Sequence, residues 1–219
     1  MRRALLSWSG GKDSSMSLLE TRKSGEFEVV ALLTTVTREF DRISMHGVRR
    51  ELLEAQGKML GLPVEKVWVS KGAGNKEYES QMMACLERYK GSGVDHVIFG
   101  DIFLEDIRKY REDRLKEMDM HGDFPLWGRN TADLARLFVD SGFRAIICTV
   151  DPRKLDRKYC GIEFSEFVSK VPDGVDPCGE NGEFHTFVYD GPIFESRIDA
   201  RVGEAVLRDG FYFADIVPA

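Results

Sequence analysis

Short apolar runs alternate with longer amphipathic segments over the first 150 residues of this 219-residue chain. The apolar runs predict strands at 3–8, 29–36, 64–69, 96–100 and 143–150. The amphipathic segments predict helices at 13–24, 48–60, 76–90, 105–119 and 130–141. Strands that are apolar along their whole length and separated by helices are typical of a parallel sheet covered on both faces. We therefore predict an α/β fold built on a parallel five-stranded sheet.

The pattern changes after about residue 150. Residues 184–189 ("FHTFVY") resemble a strand, and the end of the chain has the character of short strands around an Asp209-Gly210 turn. We interpret 1–150 as the main domain and 151–219 as a small C-terminal lobe packed against its sheet.

Composition excludes several classes of protein. The formal net charge of -6 argues against dominant non-specific nucleic-acid binding. The four cysteines form no C-x-x-C pair, which fits neither a zinc ribbon nor a disulfide scaffold. No apolar run approaches the roughly 20 residues that a membrane helix needs, and the N-terminal apolar stretch breaks at Ser9. We expect a cytoplasmic protein with no membrane partner.

The stretch "SGGKDSS", Ser9 to Ser15, lies between the apolar run of the first strand and the apolar residues of the first helix. It contains more small and charged residues than a turn needs. A glycine-rich turn that leads into a helix N-terminus is an anion site, because backbone N–H groups and the helix dipole face the ligand. The residues predicted to bind phosphate are Ser9, Gly10, Gly11, Lys12, Asp13, Ser14 and Ser15. The chain contains neither G-x-x-x-x-G-K-[ST] nor G-x-G-x-x-G.

This run matches S-G-G-x-D-S and resembles the PP-loop of the ATP pyrophosphatases. The resemblance implies a Rossmann-like fold, cleavage of ATP between its α and β phosphates, and Mg²⁺ as cofactor. It also implies a strand order resembling 3-2-1-4-5, with 96–100 beside 3–8. Gly100 and Asp101 would then end a strand at the ligand crevice. Lys12 and Asp13 are catalytic candidates, with Asp13 either capping the helix, orienting Lys12 or helping to hold Mg²⁺.

A second polar stretch, "DPCGENGEFHT", covers 176–186. It is not a zinc deaminase motif, because the second cysteine of P-C-x-x-C and the H-x-E are missing. A thiolate nucleophile at Cys178, a metal cluster of Asp176, Glu183 and His185, and simple turn chemistry all remain open.

Three motifs together, "SGGKDSS" at 9–15, "FPLWG" at 124–128 and "DPCGENGEFHTFVYDGP" at 176–192, resemble the diphthine–ammonia ligase family of PP-loop enzymes. The resemblance implies an ATP-dependent, AMP-forming ligase that adenylates a carboxylate acceptor and transfers it to ammonia. Glu183 or His185 would transfer the proton. The other residues expected at the acceptor are Gly179, Glu180, Asn181, Gly182, Arg111, Arg114 and Trp127.

The acceptor itself stays open. Archaeal and eukaryotic members tend to have S-x-Y-Q-x-x-R after the fourth strand, whereas this chain has "GDIFLEDIRKYREDRL", which is more similar to bacterial relatives. One rival is a PP-loop enzyme that activates a tRNA base; another is a nucleotide-binding sensor without transfer. No glutaminase module is visible, so free ammonia is the expected nitrogen source. A homo-oligomer is compatible with the sequence.

Overall fold

The structure, a computed structural model, describes residues 1–72 and 74–219, and the side chain of Asn75 lies outside the description. The strands are β1 Arg2–Ser7, β2 Phe27–Thr37, β3 Arg42–Ile43, β4 Val64–Val69, β5 His96–Ile98, β6 His121–Asp123, β7 Arg144–Val150, β8 Phe184–Asp190, β9 Ala200–Arg208 and β10 Phe211–Pro218. The α-helices are α1 Lys12–Ser24, α2 Arg50–Leu60, α3 Asn75–Lys90, α4 Glu105–Lys116, α5 Thr131–Asp140 and α6 Phe164–Val168. The five predicted helices are therefore confirmed. Among residues 1–72 and 74–219, none of the helices has both the length and the apolar content that a bilayer crossing requires.

The N-terminal sheet is parallel along the order β4-β2-β1-β5-β6. The α/β class and the first four positions of the predicted order are confirmed, including the placement of 96–98 beside β1. The fifth position was predicted wrongly, because β6, not the run at 143–150, pairs with β5. β6 is the three-residue sequence His-Gly-Asp, which lacks the apolar pattern that predicts a strand.

A second sheet has the order β8-β7-β10-β9, and its pairs are antiparallel. The predicted Asp209-Gly210 turn joins β9 to β10, with φ of 49° and 86° at its two residues. Positive φ at both central positions matches the twist of a tight hairpin. Since β7 pairs with β8, which lies beyond residue 150, a boundary between two units at that residue stays a prediction.

Two apolar layers cover the faces of the parallel sheet. Ala4 and Leu6 of β1 contribute to the larger layer, which also includes the inner residues of the second sheet, whereas Leu5 faces the smaller layer. This alternation follows from the two-residue period of a strand. The larger layer brings the second sheet against α1, so that β8 lies beside the start of that helix.

An ionic contact joins the C-terminal hairpin to the N-terminal sheet. The Asp215 carboxylate accepts hydrogen bonds from Arg42 at 2.9 Å and from Arg49 at 3.0 and 2.8 Å. These guanidinium donors lower the pKa of Asp215 to about 2. Because charged hydrogen bonds hold the folded form, the stabilisation is present above the usual carboxyl pKa near 4 and is lost as pH falls toward 2.

We expect Asp215→Asn to lower the free energy of unfolding by about 1 kcal/mol at pH 7, a value reduced for partial exposure of the carboxylate. The difference from the unsubstituted chain shrinks between pH 4 and pH 2. Urea unfolding at several pH values measures it. Glu26→Gln, which removes a partner of Arg2 in an exposed ion pair, is the control and changes little. Equal effects of the two substitutions at pH 7 would contradict this account.

Candidate active site

The loop Ser9–Gly11 leaves the carboxyl end of β1 and opens α1. Ser14 and Ser15 turn their hydroxyl groups back onto the Gly11 carbonyl, at 3.0 and 2.9 Å. Among the described residues, the amides of Asp13 and Ser14 have no hydrogen-bond acceptor. Free amides at a helix N-terminus are the donors that anions use. The loop predicted to bind phosphate therefore has the local geometry of an anion-binding site.

Gln56, which the sequence analysis did not single out, fixes this loop. Its side chain is fully buried. The Gln56 amide donates to the carbonyls of Gly10 at 2.9 Å and Val188 at 2.7 Å, and its oxygen accepts from Trp8 Nε1 at 2.9 Å. Gly10 has φ of 77°, and a methyl group there would lie 2.7 Å from the Gln56 oxygen. The loop needs glycine at this position for both reasons.

Strand β8 brings the second sequence motif to the loop. Val188 N donates to Gly10 O at 2.9 Å, and Lys12 N donates to Thr186 Oγ1 at 3.0 Å. The two motifs share a cavity of about 240 Å³. Its lining includes Ser9, Lys12, Asp13, Ser14, Gly100, Asp101, Arg111, Gly179, Glu180, Gly182 and His185. Residues that are far apart in sequence thus form one site.

Lys12 and Asp13 form a close ion pair in this cavity, with 2.8 Å between Nζ and Oδ2. The Lys12 side chain is 4% exposed, and Nζ lies 5.4 Å from the centre of the Phe184 ring. Burial opposes its charge, but Asp13, Cys178 and Glu180 outweigh it and raise the pKa of Lys12. Burial raises the pKa of Asp13, against the opposing effect of Lys12. Lys12 therefore stays cationic and faces incoming anions.

Glu180 is the carboxylate of the second motif that lines the cavity. Its Oε1 accepts hydrogen bonds from the backbone amides of Ile102 at 2.8 Å and Phe103 at 3.4 Å. Burial, supported by the nearby negative charge of Asp13, raises the pKa of Glu180 to about 7. A carboxylate with this pKa can accept or release a proton at neutral pH.

The Glu183 side chain, unlike that of Glu180, is buried among the residues of the second motif. It is 3% exposed and outside the cavity lining, and its Oε1 accepts from Asp176 N at 3.1 Å and Asn181 Nδ2 at 3.2 Å. Asn181 is itself exposed. Gly179, with φ of 68°, packs so closely on Phe184 that an added methyl group would lie 2.9 Å from that ring. These contacts shape the loop that presents Glu180.

Two histidines lie side by side in the cavity. The rings of His46 and His185 are stacked with centroids 4.5 Å apart. His46 Nδ1 is 3.1 Å from the Thr186 carbonyl. Burial lowers the pKa of His46 to about 4, and burial together with His46 and Lys12 lowers that of His185 well below 6.5. His46 follows the two-residue strand β3, and Ser44-Met45-His46 is a position where the family that the chain resembles often has a histidine.

A larger neighbouring cavity of about 560 Å³ is lined by two of the remaining predicted residues, Arg111 and Arg114. It shares Ser7, Ser9 and Arg111 with the smaller one and is otherwise mainly apolar. Arg114 lines the larger cavity, and Arg111 forms a 2.8 Å ion pair with Asp101. The other two predicted residues have their contacts elsewhere. Ser15 is buried beneath the loop, and the Trp127 ring lies 4.6 Å from the Arg108 guanidinium, outside both cavity linings.

Gly100 packs closely against the first turn of α1. A methyl group there would lie 3.0 Å from the backbone of Asp13 and 3.1 Å from Ser14 N. This glycine lets the end of β5 pack against the first turn of α1, and both segments line the smaller cavity.

We expect Gln56→Leu to lower the free energy of unfolding by about 2–3 kcal/mol, because it leaves Trp8 Nε1 and Val188 O without buried partners. Urea unfolding measures the change. Gln81→Leu, at an exposed position on α3, is the matched control and has a small effect. Similar stability for the two variants would show that Gln56 does not hold the loop.

Comparisons with known proteins identify the family of the chain. The chain matches the family model of the diphthamide synthase N-terminal domain over residues 1–121 and that of the diphthamide synthase C-terminal domain over residues 130–216. It is 25% identical to the diphthine–ammonia ligase of Mus musculus, over 95% of this chain and 86% of the mouse protein. It is 26% identical to the enzyme of that name from Danio rerio, over 95% of this chain and 90% of the fish protein.

A third relative is longer. The diphthine–ammonia ligase of Schizosaccharomyces pombe is 28% identical over 87% of this chain, which corresponds to 34% of the yeast protein. The two family models together span nearly the whole chain and include both motifs of the smaller cavity. The chain belongs to the diphthamide synthase family and is an ATP-dependent ligase.

Proposed function

We propose that this protein activates a carboxylate acceptor by adenylation and transfers it to ammonia, forming an amide and releasing AMP and pyrophosphate. The observation that carries the proposal is the single cavity formed by the loop at 9–15 and the motif at 176–186. An ATP site and a second polar site in contact can pass an activated acyl group from one to the other. The relatives' name supports diphthine and ammonia as the two substrates.

The phosphates of ATP fit the smaller cavity. Lys12 and the free amides of Asp13 and Ser14 supply a cation and donors where negative charge is bound. The nucleoside fits the larger cavity, because it is mainly apolar and joins the phosphate site through Ser7 and Ser9.

Mg²⁺ fits as a companion of ATP. Among residues 1–72 and 74–219, no group of three or more ligating side chains is placed to hold a metal ion. Mg²⁺ bound to ATP needs only one or two protein carboxylates, however, and Asp13 and Asp101 face the cavity. When bound, the ion supplies charge neutralisation on the phosphates.

The proposed reaction has two steps. An oxygen of the acceptor carboxylate attacks the α-phosphorus, the bond to the bridging oxygen breaks, and pyrophosphate leaves with that electron pair. Lys12 and the loop amides stabilise the growing charge on pyrophosphate. Ammonia nitrogen then attacks the acyl carbon, AMP leaves with the electron pair of the bond between the acyl carbon and the phosphate oxygen, and the proton that the nitrogen sheds on forming the amide passes to water. Glu180 takes the proton that ammonium loses before attack, because its pKa of about 7 suits proton transfer at neutral pH.

The acceptor side of the site is proposed from the residues that remain. Gly179, Glu180 and Gly182 of the second motif and Arg111 of α4 line the cavity that holds the phosphate loop, whereas Asn181 is exposed. Arg114 lies at the larger cavity, which this proposal assigns to the nucleoside, so Arg111 is the arginine proposed to hold an anionic acceptor. Trp127 contacts Arg108 and lies outside both cavity linings, so we assign it no contact with the acceptor.

We expect Lys12→Met to lower kcat/KM for AMP formation by roughly 10²–10³, the effect of losing one preorganised charge donor. The assay follows α-labelled ATP with Mg²⁺, ammonium and fractionated cell extract as the source of acceptor. Lys23→Met, at the exposed end of the same helix, is the control and keeps full activity. Release of ADP instead of AMP by the unsubstituted enzyme would refute the adenylation step.

We expect Glu180→Gln to remove the pH dependence of kcat that centres near 7. With Glu180 as base, kcat at saturating ammonium rises about tenfold per pH unit below that pH and levels off above it, because only the ionised carboxylate accepts a proton. Glu183→Gln keeps this profile if Glu183 only shapes the loop. If the profile instead disappears in Glu183→Gln and survives in Glu180→Gln, the base is Glu183.

A further inference from the structure

His46 is held in one tautomer by its contact with β8. The Thr186 carbonyl can only accept a hydrogen bond, so Nδ1 of His46, 3.1 Å away, must carry the hydrogen. When the ring is neutral, Nε2 is therefore a lone-pair acceptor. The Cε1 atom between these nitrogens lies only 2.9 Å from the position of a methyl group on Gly11, so the ring edge rests on the loop.

The surroundings keep this ring neutral in the free protein. It lines the smaller cavity together with Lys12, whose cation disfavours a second positive charge nearby. His185 covers one face of the ring. The other charged groups of the cavity are Asp13, Asp101, Arg111 and Glu180. Asp13 is paired with Lys12 and Asp101 with Arg111, so neither carboxylate compensates a charge on His46.

A polyphosphate in the cavity reverses this balance. A lone pair facing phosphate oxygens is repulsive, whereas an N–H is a charge-assisted donor. We propose that His46 takes up one proton from solvent when ATP enters the cavity and then holds a phosphate oxygen through Nε2–H. The inference rests on the proposed function, since it requires ATP phosphates at the loop 9–15.

His46, rather than His185, is the residue that gains the proton. Protonated His46 keeps its bond to Thr186 and gains a second donor, so both of its N–H groups have partners. Neither ring nitrogen of His185 has a partner within the described part of the chain. With the two rings 4.5 Å apart, a second positive charge on the stack is disfavoured. The pair therefore takes up one proton, and His185 remains a neutral surface against which the imidazolium stacks.

This proton has a role in catalysis. When the bond from the α-phosphorus to the bridging oxygen breaks, negative charge grows on pyrophosphate. The imidazolium donates a hydrogen bond to that leaving group and keeps its proton, so that no further acid or base is needed. His46 is then a third donor to pyrophosphate, beside Lys12 and the loop amides.

The test is calorimetry of α,β-methylene-ATP binding in the presence of Mg²⁺, near pH 6.5, in two buffers of different ionisation enthalpy. The full-length chain is expected to take up about one proton more than His46→Asn, whose amide can still donate to Thr186 O. His121→Asn, at an exposed position, is the matched control and matches the unsubstituted chain.

NMR of the unsubstituted chain gives a readout that does not depend on a folded variant, because the protein has only four histidines. The expected result is that the His46 ring signals move to those of an imidazolium when the analogue binds, while the His185 signals stay neutral. Binding with no change at His46, or with protonation of His185 or Glu180 alone, would overturn the inference and leave the ATP site standing. Absence of analogue binding would overturn the proposed function and this inference with it.

Discussion

The hydrogen bonds that tie the loop at 9–11 to strand β8 are the contacts on which the rest of the site depends. The Gly10 carbonyl accepts from both Gln56 and Val188, and the Lys12 amide donates to Thr186. They fix the direction of the loop amides, and they also bring the C-terminal motif against the first turn of α1. Because Gln56 and its partners are buried, losing one bond leaves a polar group without water, which makes the arrangement rigid. A rigid donor set is what stabilises charge during phosphate chemistry.

The electrostatics of the cavity follow from that packing. Lys12 is a buried cation that lies among carboxylates and two neutral imidazoles, and Arg111 lines the same cavity. Burial is the largest cause of the pKa shifts of His46 and Glu180, whereas burial lowers the pKa of Lys12 and the nearby Asp13, Cys178 and Glu180 raise it by more. The positive and negative charges of the ligand-free cavity therefore nearly cancel, and the pKa of Glu180 is about 7. An incoming polyphosphate changes this balance, and the groups able to respond are those whose protonation lies near neutrality or is suppressed by burial.

Local patterns in the sequence were enough to predict the α/β class, the five helices and the hairpin at Asp209, and the resemblance to PP-loop enzymes supplied the order of four strands. They were not enough for β6, whose three residues carry no apolar run and are held in place by β5. The phosphate loop was predictable because glycine and a helix start leave a local signature. Gln56 was not, since it acts through partners more than 45 residues away. For His46 the resemblance indicated only that the family often has a histidine after the second strand, and its contact with Thr186 depends on the fold. The choice between Glu180 and Glu183 likewise depends on which carboxylate the folded loop turns into the cavity.

The central claim is that ATP binds where the loop at 9–15 meets the motif at 176–186. The most direct measurement is a crystal structure of the chain with α,β-methylene-ATP and Mg²⁺. We predict phosphate oxygens within hydrogen-bond distance of Lys12 Nζ and the amides of Asp13 and Ser14, with the α-phosphate facing Glu180. A nucleotide bound with its phosphates away from this loop, or on a surface that excludes the 176–186 motif, would contradict the account.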